Sequence, residues 1–220
     1  MNFLIATFIF ALIVVISLVY RFLIYNALIQ NSKELNSNLP YTSVKYAKKV
    51  LDKKNQLIQF EFNQNYFTFE LDNRKKIIHF NESIIGDYSV YSLTMSYLQC
   101  YKFMLTKKWM NIVQYVIKLL FPIIWISIFV LLFFQFWIIS AILFISILLI
   151  ALLSFGIFYK TRRLINDSVM EQLKYVLAEN DFKIASRLLR RNYFTEINLI
   201  LFSVVEPVRD LIVLFNKWGK

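Results

Sequence analysis

The sequence predicts an α+β membrane protein: an N-terminal transmembrane helix, a small helix–three-strand–helix unit, a transmembrane hairpin, amphipathic helices and a C-terminal apolar helix. Three observations predict it. Residues 3–20 carry no charge, residues 119–159 carry none either, and short β-branched and aromatic stretches stand between Leu57 and Phe80. A soluble domain of 220 residues buries its core without apolar runs this long.

A membrane-crossing helix takes about 20 apolar residues for roughly 30 Å of hydrocarbon, and residues 3–25 supply them with Arg21 snorkelling to the interface. A cleaved signal peptide carries a basic leader and a small-residue cleavage site. Here no Lys or Arg precedes the run and no Ala-x-Ala follows it, so residues 1–30 are predicted to be an uncleaved anchor.

Residues 31–110 form the predicted unit outside the membrane. Thr42 and Ser43 are placed to cap a helix reaching about Lys54, with Val44, Ala47, Val50 and Leu51 on its apolar face. Strands are predicted at 57–62, 66–71 and 76–80, separated by the turn-forming stretches 63–65 and 72–74. A second helix is predicted over 88–108, where Val90, Leu93, Tyr97, Tyr101 and Met104 recur at helical spacing. A unit this small buries little alone and is expected to lean on the membrane helices or the lipid surface.

The charge-free run is twice one helix long and is predicted to be a hairpin within 111–160. Its helices are expected near 115–134 and 138–158, with the turn at Gln135, a kink at Pro122, and Lys118 snorkelling back to the interface. Within 161–194, residues 166–177 are amphipathic and Asp181 is placed to cap a helix through Arg191. The last segment, 195–220, is apolar over 197–215 but contains Glu206, Pro207, Arg209 and Asp210. Glu206, Arg209 and Asp210 share one helical face and can pair there. The segment therefore spans with its polar face against the bundle, which is preferred, or lies in the interface. This polar cluster reads as a structural network before it reads as a proton or ion relay.

The formal charge is +11. In a membrane protein such an excess marks cytoplasmic segments and attraction to anionic lipids, and no nucleic-acid module accompanies it. Lys45, Lys48, Lys49, Lys53, Lys54, Arg74, Lys75, Lys76, Lys107 and Lys108 precede the hairpin; Lys160, Arg162, Arg163, Arg187, Arg190 and Arg191 follow it. Both groups fall on one side, predicted to be cytoplasmic, of a multi-pass cell-membrane protein whose N-terminus is outside. Cys100 is the single cysteine, so an intramolecular disulfide is excluded. Three glycines cannot build a phosphate loop. His79 is the one histidine, so any Ser-His-Asp or Cys-His site would have to include it, and Cys100 sits mid-helix, where packing is the expected role.

The order of elements resembles that of a family of bacterial membrane-embedded neutral zinc metallopeptidases. Members of that family have an N-terminal membrane helix, an α-β-β-β-α unit whose second helix carries His-Glu-x-x-His, a membrane hairpin, a third ligand on the following helix, and a final apolar helix. Ala47-Lys48-Lys49-Val50-Leu51-Asp52 looks like the end of the family's first helix. The stretch 75–80 followed by Ser89-Val90 looks like its strand and the approach to the metal helix. Ala185-Ser186-Arg187-Leu188-Leu189, Phe194-Thr195 and Arg209 look like the last helix. The resemblance covers most of the chain from about residue 41.

The departure from the family is at the metal. The resemblance places the motif on Leu98-Gln99-Cys100-Tyr101-Lys102, with the third ligand at Ile165. Histidine nitrogens hold Zn²⁺ and the glutamate deprotonates its water. Leu98 offers no lone pair, Gln99 no titrating carboxylate, and Lys102 a repelling positive charge. With one histidine in the chain, no two-His motif exists under any alignment. The resemblance thus implies an inactive relative, a pseudoenzyme without cofactor, with a protein-binding or regulatory role and a membrane-protein partner. The alternative is an accessory membrane subunit of a transporter or envelope complex unrelated to peptidases, with the Glu206 face against partner helices.

Overall fold

The computed structural model describes residues 12, 15, 16, 19, 26–37, 39–52, 58–62, 71–72, 76–80, 84 and 86–202, without the side chains of Lys118 and residues 193–202. Most of the predicted anchor, most of the second predicted strand and the Glu206, Arg209 and Asp210 cluster lie outside the described residues. The elements, in order, are α1 (Asn26–Glu34), α2 (Ser43–Asp52), β1 (Gln59–Glu61), β2 (Leu71–Asp72), β3 (Ile77–His79), α3 (Val90–Leu105), α4 (Lys108–Phe133), α5 (Trp137–Val176) and α6 (Glu179–Phe202). The chain is mostly helical, with one small sheet.

β3 is the central strand. It pairs in parallel with β1, Gln59 opposite Ile77 and Glu61 opposite His79, and antiparallel with β2. Ile77 and Ile78 point to opposite faces and both are buried, as a strand covered on each side requires. Ala47 and Leu51 of α2 and Cys100 of α3 close over the sheet with Leu71, Ile78 and Phe80, in one apolar cluster. The Phe60 ring stands edge-on to Phe80 at 5.2 Å.

A buried serine network fixes how the helices start. Ser89 caps α3, its Oγ accepting from the Ser92 N–H at 3.1 Å and donating to Asp87 Oδ2 at 2.6 Å. Ser43, at the start of α2, donates its hydroxyl to the Asp87 carbonyl at 2.9 Å, and its Oγ lies 2.7 Å from Ser92 Oγ. The N-terminal ends of α2 and α3 are therefore tied together. Gly86 precedes this network at φ +67, and a Cβ there would meet nothing within 4 Å; the backbone, not the space, demands glycine.

α4 and α5 pair as a hairpin through Phe121, Trp125 and Ile128 on one side and Ile147 and Ala151 on the other. The turn falls at Gln135, which adopts φ 64 while its N–H donates to the Leu132 carbonyl at 3.1 Å. Among the described residues α4, of 26 residues, and α5, of 40, are the helices long and apolar enough to cross a membrane.

Three expected boundaries shift. α4 begins at Lys108 rather than near 115, because only Thr106 and Lys107 separate it from α3. α5 does not stop near 158 or at the 160 domain boundary. Its buried stripe of Ile147, Ala151, Ser154 and Phe158 continues as Ile165, Val169 and Leu173 at steps of three, four and seven, with no proline to end it. α6 starts at Glu179, two residues before Asp181, and runs past Arg191 and across the 194/195 boundary, where the sequence offers neither Gly nor Pro.

Candidate functional site

Chain continuity decides how α3 meets α5. α3 ends at Leu105, and five residues later Met110 Sδ lies 3.9 Å from Thr161 Oγ1, while the Trp109 ring lies 6.3 Å from Phe158. The C-terminal end of α3 is thus held beside α5 near Thr161, and α3 runs antiparallel to the stretch of α5 beyond it. α6 packs on the same side. Val90, Leu93, Tyr97 and Leu98 of α3, Ile165, Val169 and Leu173 of α5, and Ala185 and Leu189 of α6 share one buried cluster.

Two of the four positions assigned by resemblance meet in this cluster. Leu98 is 4% exposed and Ile165 3% exposed. Gln99 is half-buried, and its Oε1 has no hydrogen-bond partner among the described residues. Lys102, also half-buried, lies one turn on, its carbonyl accepting from the Thr106 N–H at 2.9 Å. A catalytic zinc needs three lone-pair donors around one point. Two hydrocarbon side chains, an amide and an ammonium do not supply them, so these residues do not fit the metal. Among the described residues no three His, Cys, Asp or Glu side chains gather elsewhere.

His79 and Cys100 are held apart from this cluster. His79 is on β3, its Nδ1 3.4 Å from Glu61 Oε2 on the neighbouring strand. Cys100 is fully buried in the cluster over the sheet, and burial pushes its thiol pKa well up, suppressing the nucleophilic thiolate. Burial, then neighbouring Tyr101, pushes Tyr97 up to about 12. Tyr101 is raised as well, first by burial and then by Glu171. Every shift here favours the uncharged form, the behaviour of a packing core rather than of an acid–base site.

The outer surfaces were less legible. Ile138, Leu152, Leu153 and Ile157 of α5 and Ile112, Val116 and Ile123 of α4 are all exposed apolar side chains on the outside of the hairpin. Trp109 and Tyr159 are exposed at one end of that outer face, beside Lys107, Lys108 and Lys160. Sequence reading put these lysines on one side of the hairpin but not side by side, as the Trp109–Phe158 and Met110–Thr161 contacts do. It also missed the Asp87–Ser43–Ser89–Ser92 network, whose one sequence sign is the recurrence of small hydroxyl residues at two helix starts. Comparison with protein families, with curated proteins and with solved structures finds no match to this chain.

Proposed function

We propose that this chain is a membrane-embedded pseudoenzyme: a protein with the plan of a membrane zinc metallopeptidase, holding no zinc and acting by binding another protein at the membrane. In this reading α4 and α5 cross the bilayer as a hairpin, and the sheet, α3 and the outer part of α5 stand in the cytoplasm. One observation carries it. Leu98 of α3 and Ile165 of α5, far apart in sequence, lie in one buried cluster, where the resemblance requires the motif helix and the post-hairpin helix to meet. That convergence comes from the packing of the helices and owes nothing to the alignment that singled out the two positions. The apolar character of both residues supports loss of the metal together with retention of the scaffold.

The exposed apolar face of the hairpin supports the membrane placement, since a face of this extent is stabilised by lipid rather than water. The basic residues at its base support a cytoplasmic position for that end. The decisive measurement is elemental analysis of the purified chain. Zinc far below one ion per chain, with no chelator-sensitive proteolysis, is expected. One tightly held zinc per chain overturns the proposal.

A further inference from the structure

The base of the hairpin gathers five cations within about two helical turns: Lys107 and Lys108 at the start of α4, and Lys160, Arg162 and Arg163 on α5. The Trp109–Phe158 and Met110–Thr161 contacts put these two stretches side by side. The one acidic group in either stretch is Asp167, 3.8 Å from Arg163. Lys107, Lys108 and Lys160 are exposed and make no ion pair among the described residues. Arg162 lies over the Phe158 ring, 5.9 Å from its centroid. Bringing Lys107, Lys108 and Lys160 together is unfavourable by mutual repulsion, and an anion lying across these three lysines relieves it.

The surroundings select the anion. The lysines continue directly into exposed hydrocarbon: Ile112 and Val116 follow Lys108 along α4, and Ile157 precedes Lys160 along α5. Trp109 and Tyr159 are exposed between the charges and the hydrocarbon, at the level where aromatic side chains favour the lipid–water boundary. From Tyr159 to Trp137 the apolar part of α5 is about 33 Å long, close to the thickness of a bilayer core. Whatever touches these lysines also lies against the apolar face beneath them. An anionic group with hydrocarbon directly below it is a phospholipid, not an acidic peptide or a nucleic acid.

We propose that the base of the hairpin, where the first turn of α4 meets α5 at Phe158–Arg163, is a binding surface for the headgroups of anionic phospholipids. The proposal rests on the membrane reading above and deepens it. The opposite end of the hairpin, 134–137, carries no charge, so the selectivity is confined to one leaflet. The other basic face, Lys45, Lys48 and Lys49 on α2, does not take part. α2 starts beside Ser92, about 20 Å along α3 from its membrane end, and the Lys45 and Lys49 ammoniums are drawn back over the Tyr41 ring that precedes this start, each 4.3 Å from its centroid. That separation along α3 is about two Debye lengths at physiological salt, where the lipid field has largely decayed.

The test incubates the full-length, detergent-purified chain with equal amounts of phosphatidylglycerol and phosphatidylcholine and counts bound lipids by native mass spectrometry. The unaltered chain is expected to retain phosphatidylglycerol in preference. The K107Q/K108Q/K160Q variant should lower the bound ratio about fivefold or more, the effect of a single membrane-facing cation being about fivefold. K45Q/K48Q/K49Q should leave the ratio unchanged. No preference in the unaltered chain, or a preference that survives the first variant or disappears with the second, overturns the proposal. A parallel alkaline carbonate wash of chain-containing membranes separates the two failures. A chain that stays in the pellet but shows no headgroup preference refutes the site alone, and a chain released into the supernatant refutes the membrane reading beneath it.

Discussion

The two halves of α5 have the same inner face and opposite outer faces. Ile147, Ala151, Ser154 and Phe158 are buried in the lower half, and Ile165, Val169 and Leu173 are buried on the same stripe in the upper half. Outside that stripe, the lower half exposes Ile138, Leu152, Leu153 and Ile157, whereas the upper half exposes Arg163, Asp167, Glu171 and Lys174 alongside Leu164 and Tyr175. The inner stripe says only that the helix packs on neighbours; the outer face says what solvent surrounds it. The lower stripe meets α4, and the upper stripe meets α3 and α6, so one continuous rod ties the hairpin core to the cluster holding Leu98 and Ile165.

The largest effect is expected on the shared inner stripe. Leu173 is fully buried between α3 and α6. Leu173→Ala removes its hydrocarbon and leaves a cavity, and should cost about 2–5 kcal/mol of stability. Unfolding of the purified chain in detergent reads this directly. A loss below about 0.5 kcal/mol, the size of an ordinary surface change, would mean that the upper half is not a packed core.

The outer faces should respond in opposite ways. Leu153→Arg puts a charge on the lower outer face, 65% exposed, and should oppose insertion by about 2.5–3.5 kcal/mol. Lys174→Ala on the upper outer face should change stability by no more than about 0.5 kcal/mol. An insertion assay in microsomes, scoring the fraction of hairpins that integrate, checks the first substitution. If Leu153→Arg integrates as well as the parent chain, the lower outer face does not meet lipid.

How much of this was legible in the sequence depended on how local each signal was. The existence of α3 was legible from the helical spacing of Val90, Leu93, Tyr97, Tyr101 and Met104, but it was predicted over 88–108 and begins at Val90, and its Ser89 cap was not singled out. The amphipathic pattern over 166–177 was legible, yet its continuity with the hairpin helix through 160 was not. Charge at Lys160, Arg162 and Arg163 reads as the end of a membrane helix, while the backbone has no reason to stop. The turn at Gln135 was placed from span length alone, because glutamine at positive φ gives no compositional sign. The central place of β3 was hidden as well, since its neighbours are chosen by pairing across the chain rather than by its own residues. The meeting of Leu98 with Ile165 is a long-range contact between two unremarkable aliphatics, and only the resemblance singled them out.

A smaller effect than those of Leu173→Ala and Leu153→Arg sharpens the comparison at the level of single hydroxyls. In the hairpin, Ser140 donates to the Phe136 carbonyl at 2.9 Å and Ser154 to the Ile150 carbonyl at 2.7 Å, and in α3 Thr94 does the same to Val90 at 2.7 Å. Ser96, also in α3 and fully buried, departs from this pattern: its Oγ has no hydrogen-bond partner among the described residues. A buried hydroxyl without a partner costs about 1–3 kcal/mol, and alanine is also the better helix former. Ser96→Ala should therefore raise the stability of the purified chain by about 1 kcal/mol, seen as a higher thermal midpoint. Ser154→Ala, which removes a hydroxyl already bonded within its own helix, should give no such gain. If Ser96→Ala lowers the midpoint instead, the Ser96 hydroxyl has a partner that holds α3 in place, and the contrast between these serines fails.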